Sequence, residues 1–205
     1  MRIPHKSIVL ASASPRRREL LASLGVAFEV RTAEVEEDHH PEFTARELAL
    51  VNATRKALAV SRQFPDRLVL GADTLVTLAG RLFGKPADVA EAERMLEALQ
   101  GGTHQVVTGV CLACESAGFK HVFAEITDVT FNRLTTREIR DYLALIHPLD
   151  KAGAYAIQEH GKRIVERIDG SYSNVVGLPV ERLGLELARC GVDTRNPKSA
   201  HGQIP

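Results

Sequence analysis

Cysteine is scarce in this 205-residue chain. Three residues, an odd number, give no disulfide framework. Cys111 and Cys114 have C-x-x-C spacing, but no second such pair follows. Positions three apart in a strand point to opposite faces, so zinc or thiol redox chemistry has little to stand on. An excess of either charge is also missing: 26 Lys plus Arg balance 26 Asp plus Glu. That argues against a general binder of nucleic acid or of membrane surfaces, which needs a basic excess. No apolar run reaches the roughly 18 residues of a membrane span, and no secretory signal opens the chain. The expectation is a soluble, cytoplasmic protein. No G-x-G-x-x-G suggests a dinucleotide site, and no G-x-S-x-G elbow anchors a serine hydrolase. Gly80-Arg-Leu-Phe-Gly-Lys-Pro is one residue too short for a P-loop and puts Pro86 where Ser or Thr would hold Mg²⁺.

What the chain does have is hydrophobic content of 44%, enough for an ordinary core, in apolar runs that alternate with helical patterns. This alternation predicts an α/β class. Strands are expected at Ile8 to Ala11 and Phe28 to Arg31, around a helix that Gly25 ends. Thr44 and Glu47 form a capping-box pair for a helix over Ala45 to Gln63. Leu68 to Leu78 reads as a strand, with Ala79-Gly80 turning it into Arg81 to Gly84. Asp88 and Glu91 start a further helix that Gly101 stops. Val106 to Ala113 and Val122 to Phe131 read as paired strands, followed by a helix from Arg137 to Ile146 before Pro148. A short strand, Ile164 to Ile168, and a helix from Pro179 to Arg189 complete the pattern. One domain over residues 1–192 is expected, with a loosely ordered polar tail over 193–205.

The segment Leu10-Ala-Ser-Ala-Ser-Pro-Arg-Arg-Arg-Glu-Leu-Leu21 breaks a local rule. Ser14 suits the N-cap and Pro15 the first helical position. Arg16, Arg17 and Arg18 then place cations where a helix start favours anions. Free N–H groups, hydroxyls and guanidinium groups describe a socket for a polyphosphate; a solvated basic helix end is the alternative. Asp73 lies inside an apolar strand pattern, where a carboxylate must be paired, metal-bound or exposed at a cleft. Lys85 is a phosphate cation or a solvated charge. The acidic run Glu34, Glu36, Glu37 and Asp38 is a solvated loop, or supplies a partner for Asp73 around Mg²⁺. The adjacent His39 and His40 lack a third ligand. Asp150-Lys-Ala-Gly-Ala-Tyr-Ala-Ile-Gln158 has small residues that let backbone approach a flat ligand, and the Gln158 amide can match the N–H and C=O edge of uracil or thymine. Gly170-Ser-Tyr-Ser-Asn-Val-Val-Gly-Leu-Pro179 is a second, hydroxyl-rich candidate anion cradle.

Taken together, Ala11-Ser-Ala-Ser-Pro-Arg-Arg, Gly71-Ala-Asp-Thr, Gly84-Lys-Pro, Asp150-Lys-Ala-Gly-Ala-Tyr and Gly170-Ser-Tyr-Ser-Asn-Val-Val-Gly-Leu-Pro resemble the Maf family of nucleoside triphosphate pyrophosphatases, in order over almost the whole chain. The resemblance implies a central mixed, twisted sheet flanked by helices, in an elongated two-lobed architecture with a cleft between the lobes at strand ends. It implies hydrolysis of a nucleoside triphosphate to the monophosphate plus pyrophosphate with a divalent metal, Mg²⁺ or Mn²⁺, and a homodimer. The Ala-Gly-Ala-Tyr-Ala-Ile-Gln segment looks like the dTTP/UTP branch. The alternatives are the same chemistry on another base, such as 7-methyl-GTP, or a nucleotide-sensing regulator of septum formation. By motif, Asp73 matches the proton acceptor. Arg16, Thr74 and Gln158 match positions tied to substrate choice. Ser14, Arg17, Lys56 and Lys85 fall to substrate binding, and Glu37, rather than Glu36, joins Asp73 as a metal ligand. Arg18 extends the family's Arg pair to a triplet.

Overall fold

The computed structural model describes residues 8–194 apart from 33, 39 and 41. The polar tail beyond Thr194, and His39, lie outside the described residues. No described helix is long and apolar enough to cross a membrane.

The chain runs β1 (Ile8–Leu10), α1 (Pro15–Ser23), β2 (Phe28–Val30), α2 (Ala45–Ser61), β3 (Leu68–Leu78), β4 (Arg81–Phe83), α3 (Val89–Leu99), β5 (Thr103–Cys114), β6 (Phe119–Phe131), α4 (Thr136–Leu143), β7 (Val165–Asp169), α5 (Tyr172–Val176) and α6 (Val180–Arg189). The strands form one seven-stranded mixed sheet in the order β2-β1-β3-β5-β6-β7, with β4 also beside β3. β1 is parallel to β2 and β3, and the other pairings are antiparallel. The expected α/β class, with a mixed sheet flanked by helices, is what the chain forms.

Local chemistry sets most boundaries. The Ser14 Oγ accepts from the Arg17 N–H and Pro15 opens α1. Thr44 and Glu47 close a reciprocal capping box on α2. Ala79 and Gly80 both have positive φ, +50° and +82°, in the two-residue turn between β3 and β4. Three expectations need correction. β5 begins earlier than its apolar run, because polar cross-strand pairs extend the ladder, Thr103 with Thr130 at 2.9 Å and Gln105 with Asp128 at 3.0 Å; β6 begins earlier because Phe119 and Lys120 pair with Cys114 and Ala113 at the end of β5. α4 ends at Leu143 rather than Ile146, where the Leu145 N–H turns back to the Tyr142 carbonyl. Finally, α5 and the short 3₁₀ turns at Pro148–Asp150, Ala152–Ala154 and Gly161–Arg163 had no periodic signal.

Three apolar clusters hold the sheet. One packs α2 residues Ala53, Ala57 and Val60 on Val9, Val69 and Cys111. A second, on the opposite face, joins Leu21 of α1, Leu24 just after it, and Leu183 and Leu187 of α6 to Leu70, Leu112 and Cys114. Cys111 and Cys114 thus lie on opposite faces, as their spacing predicts. The third gathers α3, α4 and the far ends of β5 and β6 around Tyr142 and Phe131.

One edge of β3 is occupied by β5 from Val69 to Thr77. The other edge is shared: β1 pairs with Leu68–Leu70 and β4 with Val76–Leu78. Between them, over residues 71–75, no described strand covers the edge. Asp73 and Thr74 sit in this gap and, by strand alternation, face opposite sides of the sheet.

Candidate active site

A cleft of about 760 Å³ opens beside that gap. Its floor is β3 from Asp73 to Val76, and its walls are the start of α1, the loop carrying Glu37, the loop after β4 and the Asp150–Gln158 segment. The opening lies beside the middle of β3, because β1 stops at Leu10 while β3 runs on; the expected position at strand ends holds for β1 alone.

Asp73 is 5% exposed. Its Oδ1 receives a hydrogen bond and ion pair from the Lys56 Nζ at 2.7 Å. The same ammonium reaches the Glu37 Oε1 at 2.6 Å. Asp73 and Glu37 therefore converge on one cation. α2 supplies that cation because its backbone lies flush on the sheet: a Cβ on Gly71 would meet the Ala53 carbonyl oxygen at 2.4 Å. Asn52, one helical turn before Lys56, donates from Nδ2 to the Asp73 Oδ2 at 3.4 Å. Glu36 contributes only its carbonyl, to Arg55, and Asp38 pairs with Arg55 at 3.1 Å. Of the acidic run, the structure brings Glu37 to Asp73.

The other side of β3 carries the guanidinium of Arg17. Its Nε donates to the Gly177 carbonyl at 3.0 Å, and its terminal nitrogens to the Ser12 Oγ at 3.3 Å and the Thr74 Oγ1 at 2.9 Å. Burial pulls its pKa below the usual guanidinium value, opposed by the charge of Asp73. Thr74 also contacts the Thr108 hydroxyl at 3.0 Å. Arg16 points elsewhere: it pairs with the Asp150 carboxylate at 3.1 Å, across 134 residues of sequence. Desolvation tends to raise the pKa of Asp150, but bonds from Lys151 and Arg16 outweigh it and hold the carboxyl below its ordinary range. Lys151, 5% exposed, also donates to the His147 carbonyl at 2.8 Å and ties the segment down.

The profile of the family described as Maf-like protein matches residues 7–190. The chain belongs to the Maf family. It is 46% identical, over 188 residues, to a dTTP/UTP pyrophosphatase of Bacillus cereus (strain ATCC 10987 / NRS 248), covering 92% of each chain. It is equally 46% identical to a dTTP/UTP pyrophosphatase of Bacillus anthracis (strain CDC 684 / NRRL 3495), covering 92% of this chain and 97% of that one. Among solved structures, the Staphylococcus aureus Ham1 protein aligns with a TM-score of 0.43 and 18% identity, over 62% of this chain and 72% of that one.

In this Maf-family chain, Ser14, Arg16, Arg17, Glu37, Lys56 and Asp73 all line the cleft. So do Thr74, Lys85 and Gln158. Lys85 and Gln158 are exposed at the rim and bond to no described residue, which leaves an ammonium and an amide open to a ligand. Arg18 is exposed and does not line the cleft. The expected anion cradle at Gly170–Pro179 does not form. The Ser171 and Ser173 hydroxyls are committed to the Glu181 carboxylate at 3.0 and 2.5 Å, and the Asn174 amide to the Val106 carbonyl and Thr127 hydroxyl. What that segment gives the site is the Gly177 carbonyl that holds Arg17. His40 is exposed, and no group of three or more His, Cys, Asp or Glu is arranged around a metal position among the described residues. Two site residues escaped sequence reasoning. Asn52 was a polar residue on an apolar helix face, four positions before Lys56; Asp150 headed a motif without a role of its own. Polarity on the packed face was the signal for Asn52.

Proposed function

We propose that this chain hydrolyses dTTP and UTP to the monophosphate and pyrophosphate. The reading rests on one observation above all: the buried Asp73 on the floor of the cleft and the exposed Glu37 on its wall share the Lys56 ammonium, and the rim carries Arg16 and Lys85. A pure phosphate binder has no use for a carboxylate sunk into its cleft, as Asp73 is. The names of the relatives at 46% identity support the same substrates. A cleft of about 760 Å³ is of a size to take a nucleotide.

In the reaction, water attacks the α-phosphorus as the bond to the oxygen of the leaving pyrophosphate breaks. Asp73 orients that water and accepts its proton. Lys56, Arg16 and Lys85 neutralise the triphosphate, and Arg17, its donors already engaged, adds a fixed positive field. Arg16 exchanges the Asp150 carboxylate for a phosphate oxygen. Gln158, with its free amide at the rim, reads the N–H and C=O edge of the pyrimidine. For the divalent metal, the test is the donor set. Two carboxylates already share one cation, the Lys56 ammonium, and that suits Mg²⁺ or Mn²⁺, which take one or two carboxylates and keep several waters. Glu37 and Asp73 would hold it, and it would draw charge from phosphate oxygens and acidify a bound water.

The test is product analysis by ³¹P NMR on dTTP, UTP and 7-methyl-GTP with Mg²⁺. Pyrophosphate and monophosphate should appear together from dTTP and UTP. Stepwise release of orthophosphate would overturn the reaction, and preferential turnover of 7-methyl-GTP would overturn the base.

A further inference from the structure

The Asn52 side chain, beside the cleft, makes three hydrogen bonds. It is 1% exposed, on the sheet-facing side of α2. Its Oδ1 accepts the Asp38 N–H at 2.7 Å, and its Nδ2 donates to the Asp38 carbonyl at 3.2 Å. The amide therefore pairs with the Asp38 backbone as a second peptide edge would. The remaining Nδ2 hydrogen is directed to the Asp73 Oδ2 at 3.4 Å. One rigid amide thus holds two things: the loop residue immediately after Glu37, and the far oxygen of Asp73.

Glu37 and Asp73 sit on different elements, and Arg55, which also holds the loop through the Glu36 carbonyl and the Asp38 carboxylate, makes no described contact with Asp73. Lys56 touches both, but through a flexible four-carbon stem that can follow either carboxylate. Asn52 has a short side chain locked by packing, and it cannot follow. We infer that Asn52 is a positioning residue that sets the separation of the Glu37 and Asp73 carboxylates and so builds the divalent-cation site. This inference rests on the proposed pyrophosphatase reading for its metal. Groups that orient metal ligands in this way are worth about 10- to 100-fold in metal affinity or activity when removed.

The experiment compares the wild-type chain with Asn52→Leu, which keeps the side chain's shape while deleting all three hydrogen bonds. Mn²⁺ binding is followed by electron paramagnetic resonance without nucleotide, alongside the melting temperature and steady-state turnover of dTTP. A folded Asn52→Leu should bind Mn²⁺ at least about tenfold more weakly. Its kcat at fixed Mn²⁺ should fall more than its KM for dTTP rises. Should the leucine variant fail to fold, Asn52→Ser, which cannot span both partners, is read in the same way. Unchanged Mn²⁺ affinity in a folded variant overturns the inference, because a purely structural amide would alter the melting temperature alone. A wild-type chain that turns over dTTP but binds no Mn²⁺ also overturns it and leaves the pyrophosphatase reading standing. A wild-type chain that binds Mn²⁺ but leaves dTTP intact overturns that reading, while the Mn²⁺ comparison still decides the role of Asn52.

Discussion

At the scale of single residues, the site depends on a charge that the fold has no structural reason to keep. Asp73 stands in a strand whose neighbours Leu70, Ala72 and Val76 are buried and apolar. Replacing it with Asn preserves shape and the capacity to accept from Lys56, gives up only the long 3.4 Å bond from Asn52, and leaves Lys56 paired to Glu37. The fold of Asp73→Asn should survive, read as a near-native melting temperature, while kcat for dTTP falls at least about a hundredfold. Near-native turnover would remove Asp73 from the chemistry. Such isolated charges are what a sequence displays best, and Asp73 and Lys85 were visible for that reason, whereas Lys56, next to Arg55, came from the family resemblance alone. Roles that depend on side-chain direction were not. Arg16 and Arg17 are adjacent, about 100° apart on the helix, and their partners lie on different elements, so only coordinates separate the Asp150 pair from the Gly177 clamp. The hydroxyls of Ser171 and Ser173 misled in the same way, since Glu181 claims them from the next helix.

At the scale of elements, the helix boundaries at Ser14, Thr44 and Asp88 were legible because a cap is a local bond between residues three apart. The 3₁₀ turns between 148 and 163 were not, because tertiary contacts shape them: Tyr142 both donates to and accepts from the Ala156 backbone at 3.1 Å. The seating of α2 is the element-scale feature that places Asn52 and Lys56 beside Asp73. It rests on two glycines. A Cβ on Gly109 would come within 2.4 Å of the Ala49 backbone, as one on Gly71 would of Ala53. Backbone cannot yield as a side-chain tip does, so Gly109→Ala must lift the helix. It should cost roughly 1–3 kcal/mol in chemical denaturation. It should also depress kcat out of proportion, since Asn52 and Lys56 move with the helix and a misplacement of about 1 Å can cost about 10²-fold. Gly102→Ala, whose nearest neighbour would be 3.7 Å away, is the control. Equal activities in the two variants would show that the seating of α2 does not govern the site.

At the scale of the whole molecule, the wall of the cleft and the deep core are one structure. Tyr155 lines the cleft, and its hydroxyl bonds the His104 Nε2 at 2.9 Å beneath it. The His104 ring stands edge-on to Phe131 with centroids 4.7 Å apart, and its Nδ1 has no hydrogen-bond partner. Burial lowers the pKa of His104 to about 4, against a weaker opposing pull from Asp128. In the unfolded chain the same imidazole titrates near 6.5. Above pH 6.5 both states leave it neutral, and the histidine puts no charge into the core. As pH falls from about 6.5 to about 4 the unfolded chain takes up a proton that the folded chain refuses, so stability is lost across that window. The full loss amounts to roughly 3 kcal/mol. Carboxylates titrate in the same range, so the comparison is with His104→Leu. The stability of the wild type minus that of the variant, from urea unfolding at pH 7.5, 5.5 and 4.5, should fall by about 1.4 kcal/mol per pH unit below pH 6.5. A difference that stays constant with pH would mean that His104 charges as readily inside the fold as outside it. In that case the core beneath Tyr155 would admit water, and the cleft would lack the dry wall on which its strong electrostatics depend.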